Sequence, residues 1–162
     1  MSTPGTEPQL VRLDPAMTAV IRGVVPMAQL RDFFDSSFRT LALTIDAQRI
    51  AVASPAFCVH RGLPGHGLPG ETVDLEVGFA TDRAVRPQGD VVAGSLPGGL
   101  VARLTHVGSY DALDSSWQRL HSWLRAQGLS AGEVRWETYV TQPTPEMDPR
   151  DLRTELNWPV AD

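Results

Sequence analysis

The sequence contains no lysine; all fourteen of its basic residues are arginine. The absence reads as genomic base composition rather than as a functional device. There is one cysteine, Cys58, so no intrachain disulfide can form, and a reducing cytoplasm is the expected compartment. No apolar run approaches the roughly 18 residues that a membrane-spanning helix needs, so no membrane association is expected. The N-terminal MSTPGTEPQL is polar and lacks a basic region leading into an apolar one, so it does not resemble a signal peptide. Basic charge is in short supply: the formal net charge is −5, and a nucleic-acid partner requires a net basic face. Residues 1–17 are expected to form a flexible tail, too short for a helix-turn-helix module.

What is present is a chain of 162 residues, 42% hydrophobic and 20% charged, which suits one globular domain with a sizeable core. Its most informative feature is an internal repeat. Phe34-Asp35-Ser36-Ser37-Phe38-Arg39-Thr40-Leu41 matches Leu113-Asp114-Ser115-Ser116-Trp117-Gln118-Arg119-Leu120 at an offset of 79. The same offset relates Phe57 and His60 to Trp136 and Tyr139, and Glu76 and Phe79 to Glu155 and Trp158. The chain therefore reads as two copies of one unit, residues 18–83 and 97–160, joined by a Gly/Pro-rich linker over 84–96. Two copies make a paired domain; a stacked array needs about three or more.

Each copy reads as β-α-β-β. The first strands are Ala19-Val20-Ile21 and Leu100-Val101-Ala102. Tyr110, Leu113, Trp117, Leu120 and Leu124 recur at three- and four-residue steps, one helical stripe, with Gly128 placed to end the helix. Arg31, Phe34, Phe38, Leu41 and Ile45 form the stripe of the first copy, so helices are expected near 28–47 and 110–127. Alternation marks closing strands at 134–140 and 152–158, and at 56–60 and 73–79. The expected architecture is α+β: two repeats with antiparallel sheets, helices on one side and a cleft between the copies.

Strand parity assigns faces. Val134, Trp136, Thr138 and Val140, with Leu152, Thr154, Leu156 and Trp158, are expected beneath the helices. Arg135, Glu137, Tyr139 and Asn157, with Cys58 and His60 of the other copy, then share the opposite face. That face is either a cleft or a solvated sheet surface.

Several motifs fail on chemical grounds. Gly65-His66-Gly67-Leu68-Pro69-Gly70 has the glycine spacing of a dinucleotide loop, but a strand rather than a helix follows, and Pro69 removes an amide donor. The four histidines show no metal-ligand spacing, so neither a metal nor a cofactor is expected. Cys58 and His60 lie two positions apart on one strand face, with no third group evident to orient the imidazole. Ser36-Ser37 and Ser115-Ser116 fit the polar faces of the two helices. Glu137 is the residue that stands out. A carboxylate flanked by Trp136 and Tyr139 needs a partner if buried; it would attract an organic cation, with ring faces assisting, or serve as a general base.

The repeat, the Trp136-Glu137-Thr138-Tyr139 segment and the Thr154-Glu155-Leu156-Asn157-Trp158-Pro159 ending resemble the GyrI-like small-molecule-binding family, the effector-binding domain of AraC- and MerR-type multidrug regulators. His106-Val107-Gly108-Ser109-Tyr110 and Trp117 match its turn and second helix. The resemblance implies a ligand cleft between two β-α-β-β units. It puts the family carboxylate at Glu137 and a pocket tyrosine at Tyr110, with Asn157 and His60 where relatives often carry tyrosine. The ligand-binding set expected on this basis is Glu137, Tyr110, Tyr139, Asn157, His60 and Trp123, with Glu137 and Tyr110 catalytic if the protein is an enzyme. Three functions follow from the resemblance: a stand-alone binder of amphipathic aromatic or cationic small molecules, a hydrolase opening strained cyclopropane rings of DNA-alkylating compounds, or a gyrase-inhibitor-like module with a protein partner.

Overall fold

The computed structural model describes residues 7–61, 72–141, 146 and 148–161. The glycine motif at 65–70 and the proline run at 142–145 lie outside them. The strands are β1 (Gln9–Leu13), β2 (Ala16–Pro26), β3 (Phe57–Arg61), β4 (Thr72–Ala80), β5 (Val92–Leu96), β6 (Gly99–Val107), β7 (Ser130–Ala131), β8 (Val134–Tyr139) and β9 (Arg153–Ala161). The helices are α1 (Leu30–Ala47) and α2 (Leu113–Ala126), each preceded by one 3₁₀ turn. No described helix is long and apolar enough to cross a membrane.

The strands form one antiparallel sheet in the order β1-β6-β9-β8-β3-β4-β2-β5, with the short β7 on β9. Two β-α-β-β units, β2-α1-β3-β4 and β6-α2-β8-β9, thus share one strand order, and they join edge to edge where β3 pairs with β8. Register repeats along with order. Shifted by 79, the pair Phe57↔Gly78 becomes Trp136↔Asn157, which is the observed partner set of β8 and β9. The first strands obey a different offset: Ala19↔Phe79 corresponds to Ala102↔Trp158. Ala19 therefore matches Ala102 and Ile21 matches Leu104, correcting the match of Ala19-Val20-Ile21 to Leu100-Val101-Ala102. The first unit carries four more residues between strand and helix.

Two segments read as irregular are strands. Residues 9–13 of the expected tail pair along β6, and residues 92–96 of the expected linker pair along β2.

Both helices pack on the same face. Under α1 lie Ala19, Ile21, Cys58, Leu75 and Val77, against Leu41 and Ile45. Under α2 lie Ala102, Leu104, Leu156 and Trp158, against Trp117, Leu120 and Leu124. Of the helical stripes read from the sequence, Leu41, Ile45, Trp117, Leu120 and Leu124 are buried, Phe34, Phe38 and Leu113 are half-buried, and Arg31 and Tyr110, at the N-terminal ends, are exposed. Gly128, at φ 75°, ends α2 as expected: the amide of Leu129 reaches back to the carbonyl of Leu124 at 3.0 Å, closing the last turn.

The opposite face is buried as well. Phe57, Val59 and Trp136 of the central strands, with Val20 and Val101, form a third apolar cluster that Val11, Leu13 and Leu96 also join. β1 and β5 are the two ends of the strand order, so their contact with one cluster requires the sheet to curl around this face. This corrects the faces of the central strands. Trp136 and Val134 lie on the helix-free face, and Glu137, with its cross-strand partners Cys58 and Leu156, lies on the helix side. Residues of both parities are buried in β3 and β8, so alternation of apolar residues there does not tell one face from the other.

Candidate functional site

The two central strands pass beneath the gap between α1 and α2. Cys58 and His60 project from β3 on the helix side; Arg135, Glu137 and Tyr139 project from β8 on the same side. Cys58 and Glu137 are direct cross-strand partners. Phe34 of α1 meets Tyr139 edge-on at 6.4 Å, and Tyr110, from the turn before α2, meets the same ring at 5.9 Å. Trp117 of α2 lies 6.4 Å from the His60 ring. The result is a buried carboxylate between the two units, with aromatic rings from both units packed around its neighbours Tyr139 and His60.

Glu137 is 4% exposed. One of its oxygens, Oε1, contacts His60 Nε2. The other, Oε2, is buried and has no hydrogen-bond partner among the described residues. An unsatisfied carboxylate oxygen in a buried site costs free energy that a bound donor or cation would recover. Its field reaches the neighbouring groups. Burial first, and then the Glu137 charge, push the Tyr139 hydroxyl well above the ordinary phenol range. The same two causes raise the Cys58 thiol well above its usual value, and Tyr110 more mildly.

Arg135 is the cation the sequence reading passed over. It shares strand parity with Glu137, which was the available signal. The guanidinium is buried and sits over the Trp117 ring at 4.4 Å and the Trp158 ring at 5.5 Å. Desolvation lowers its pKa, and the Glu137 charge opposes that shift. Two indole faces give a buried arginine the partner that its unpaired Nε lacks.

Tyr110 is held by a polar turn. His106 is buried; its Nε2 donates to the Ser109 carbonyl at 2.8 Å, and its Nδ1 accepts from the Ser116 hydroxyl at 2.7 Å. Ser116 thus ties the helix to β6. The Gly108 amide donates to the Leu152 carbonyl at 2.8 Å while the residue adopts φ 121°, a conformation open to glycine. Gly108→Ala is expected to destabilise the fold by about 1–3 kcal/mol and to loosen Tyr110. Denaturant melts would register it; no loss would show that the turn tolerates a side chain.

Of the residues singled out from the sequence, Glu137, Tyr139, Tyr110 and His60 come together here. Asn157 lies on the opposite face of the sheet, beside its cross-strand partners Trp136 and Arg103. It is fully buried and accepts from Arg103 Nε at 2.9 Å. Trp123 packs against the core under α2. Cys58, Arg135, Phe34 and Trp117 join the group instead.

The raised thiol and phenol make a stability prediction. In the unfolded chain a thiol ionises near pH 8.5 and a phenol near 10; in the folded protein Cys58 and Tyr139 hold their protons to higher pH. Their contribution is therefore complete below about pH 8.5 and is lost as pH rises beyond it. Unfolding free energy should fall across the alkaline range, and less steeply in Cys58→Ala. Equal slopes would show that the thiol does not contribute.

Comparison with known proteins bears on this arrangement. Residues 6–161 match the family model of the GyrI-like small molecule binding domain. Comparison with curated proteins gives no match. Among solved structures, the EcmrR C-terminal domain is similar at TM-score 0.79 and 17% identity, over 96% of this chain and 97% of that one. In the EcmrR–DNA complex the chain spans 57% of the EcmrR length, at 18% identity and TM-score 0.79. A hydrolase from Listeria innocua is similar at TM-score 0.70 and 13% identity, over 98% and 93% of the two chains. SAV2435 bound to tetraphenylphosphonium is similar at TM-score 0.63 and 15% identity, over 96% and 94%.

Proposed function

We propose, for a chain that belongs to the GyrI-like small-molecule-binding family, that the cleft between α1 and α2 binds amphipathic aromatic cations and that Glu137 anchors them. The observation that carries this is the buried Glu137 Oε2, without a hydrogen-bond partner among the described residues, on a residue whose neighbours Tyr139 and His60 are packed by the rings of Phe34, Tyr110 and Trp117. A delocalised organic cation loses little hydration on entering such a site. It gains the carboxylate charge and the negative faces of several rings. The ligand of SAV2435, tetraphenylphosphonium, is of this class. Bound tightly, such a compound would be sequestered.

The cation must share Glu137 with two neighbours, Arg135 and His60. Arg135 is held by its indole faces, but His60 rests on Oε1 and is partly exposed, so its imidazole is the group that moves aside. The direct test is calorimetric titration with tetraphenylphosphonium and, separately, with the neutral triphenylphosphine oxide. The cation should bind with clear preference over the neutral compound. Equal binding of the two, or binding of neither, would end this reading.

A second reading, hydrolysis, is favoured by the same free oxygen. Glu137 Oε2 could hold a water beside a bound substrate, and Tyr110 could donate to the departing atom. A strained cyclopropane in an aromatic alkylating compound would be the substrate class. Incubation with such a compound, followed by mass detection of a hydrated, ring-opened product, separates turnover from binding.

A further inference from the structure

We propose that Cys58, His60 and Glu137 form a site for one divalent transition metal, zinc(II) by their ligand chemistry, at the floor of the cleft. The inference goes beyond small-molecule binding and does not rest on it. One ligand atom from each residue, thiol sulfur, imidazole nitrogen and carboxylate oxygen, lies within 4.8 Å of the other two. Metal–ligand bonds of about 2.0–2.3 Å in tetrahedral geometry set donor separations of about 3.3–3.8 Å. The group therefore closes on an ion by side-chain adjustments of about 1 Å.

The strands explain why these three meet. Cys58 and His60 are two apart on β3 and so share a face. Glu137 is the cross-strand partner of Cys58 on β8. Histidine spacing cannot reveal this site, because its third ligand comes from the other unit, 77 residues beyond His60. The second, independent observation is Glu137 Oε2: it lies on a residue 4% exposed and has no hydrogen-bond partner among the described residues.

Donor softness selects the ion. A thiolate with an imidazole and a carboxylate suits zinc(II) and disfavours magnesium or calcium, which take oxygen donors. On binding, the Cys58 thiol releases its proton to solvent, the ion sheds waters, and new bonds form to sulfur, nitrogen and oxygen. Three protein ligands leave a fourth position open, as in catalytic rather than structural zinc sites. Thiolate and carboxylate together balance the ion, so the nearby Arg135 leaves the site with net positive charge. The fourth ligand is then an anion or a polarised oxygen such as a carbonyl. Metal and organic cation compete for Glu137, so loading reverses the charge preference of the cleft.

Cobalt(II) is the spectroscopic probe. The full chain, stripped with chelator and titrated with cobalt(II), should take up one ion per chain. It should develop thiolate-to-cobalt charge-transfer absorption with the strong visible bands of tetrahedral cobalt, and zinc(II) should bleach both. Cys58→Ser should abolish the charge-transfer band. His60→Ala, a change at a partly exposed position that leaves the core intact, should weaken cobalt affinity by at least the roughly 10–100-fold typical of losing even an outer-shell partner. Absence of the charge-transfer band in the wild-type protein, or cobalt affinity unchanged in His60→Ala, overturns the proposal. Tetraphenylphosphonium titration in chelator is an independent measurement, so failure of the metal site and failure of the cation reading are distinguishable.

Discussion

Glu137→Gln weakens tetraphenylphosphonium binding by about 1.5–3 kcal/mol, the usual worth of a hydrogen-bonding partner that carries charge, which is roughly a ten- to hundredfold rise in Kd. Glutamine keeps the shape of the side chain and removes its charge, so affinity for triphenylphosphine oxide changes much less. The contrast between the two ligands is the informative quantity. A general loss for both would indicate damage to the cleft rather than removal of an anchor. His60→Ala acts in the opposite sense, since it frees Oε1 from the imidazole that occupies it. If the hydrolytic reading holds, Glu137→Gln also lowers turnover by about 10²–10⁴-fold while binding of a neutral substrate survives, the range expected for loss of a general base. A variant that changes neither binding nor turnover places the chemistry elsewhere.

Trp117→Ala costs about 3–5 kcal/mol of stability. Trp117 is 4% exposed, meets Trp158 edge-on at 5.6 Å and carries the Arg135 guanidinium at 4.4 Å. Truncation opens a cavity under α2 and removes one of two indole faces from a buried cation. The second effect adds to the first because a buried charge that loses its partner keeps its desolvation cost. In a domain of this size each kcal/mol lowers Tm by about 2–4 °C, so the shift is large enough for a simple thermal melt. A loss under about 1 kcal/mol would show that the wall of the cleft repacks without the ring.

Both predictions draw on features that differ in how far the sequence displays them. The helical stripe through Leu113, Trp117, Leu120 and Leu124 is legible because a single-sided helix writes its buried face at a 3.6-residue period; Tyr110 extends that period but lies exposed in the turn before the helix. The 79-residue offset was legible because helix, second strand and third strand run without a gap between the units. It failed at the first strand, where four extra residues precede α1. β1 and β5 were missed because they are short edge strands in Pro- and Gly-rich surroundings, stabilised by the neighbours they pair with rather than by an apolar pattern of their own. The inner faces of β3 and β8 were inverted for a different reason. Trp136 looked like the natural floor beneath a helix, yet the curl of the sheet gives the far face a core too, and Trp136, Phe57 and Val59 fill it. Glu137 stands out in the sequence by its aromatic flanks, but its burial and the company of Arg135 depend on tryptophans from α2 and β9 that no local pattern connects to it.

The Cys58↔Glu137 pair has a consequence for how such a domain came to hold one buried carboxylate. The two residues occupy the same position of the repeated unit, and β3 and β8 meet so that this position faces its own counterpart. In a symmetric assembly of two identical chains, a glutamate there would confront another glutamate across the strands, and like charges directly opposite each other destabilise a sheet. Joining the two units in one polypeptide removes that constraint. Each side of the axis is free to diverge, so one can keep the acid while the other takes a small, neutral thiol. The single buried acid where the two units meet is therefore something a covalent fusion permits and a homodimer of the same unit would resist.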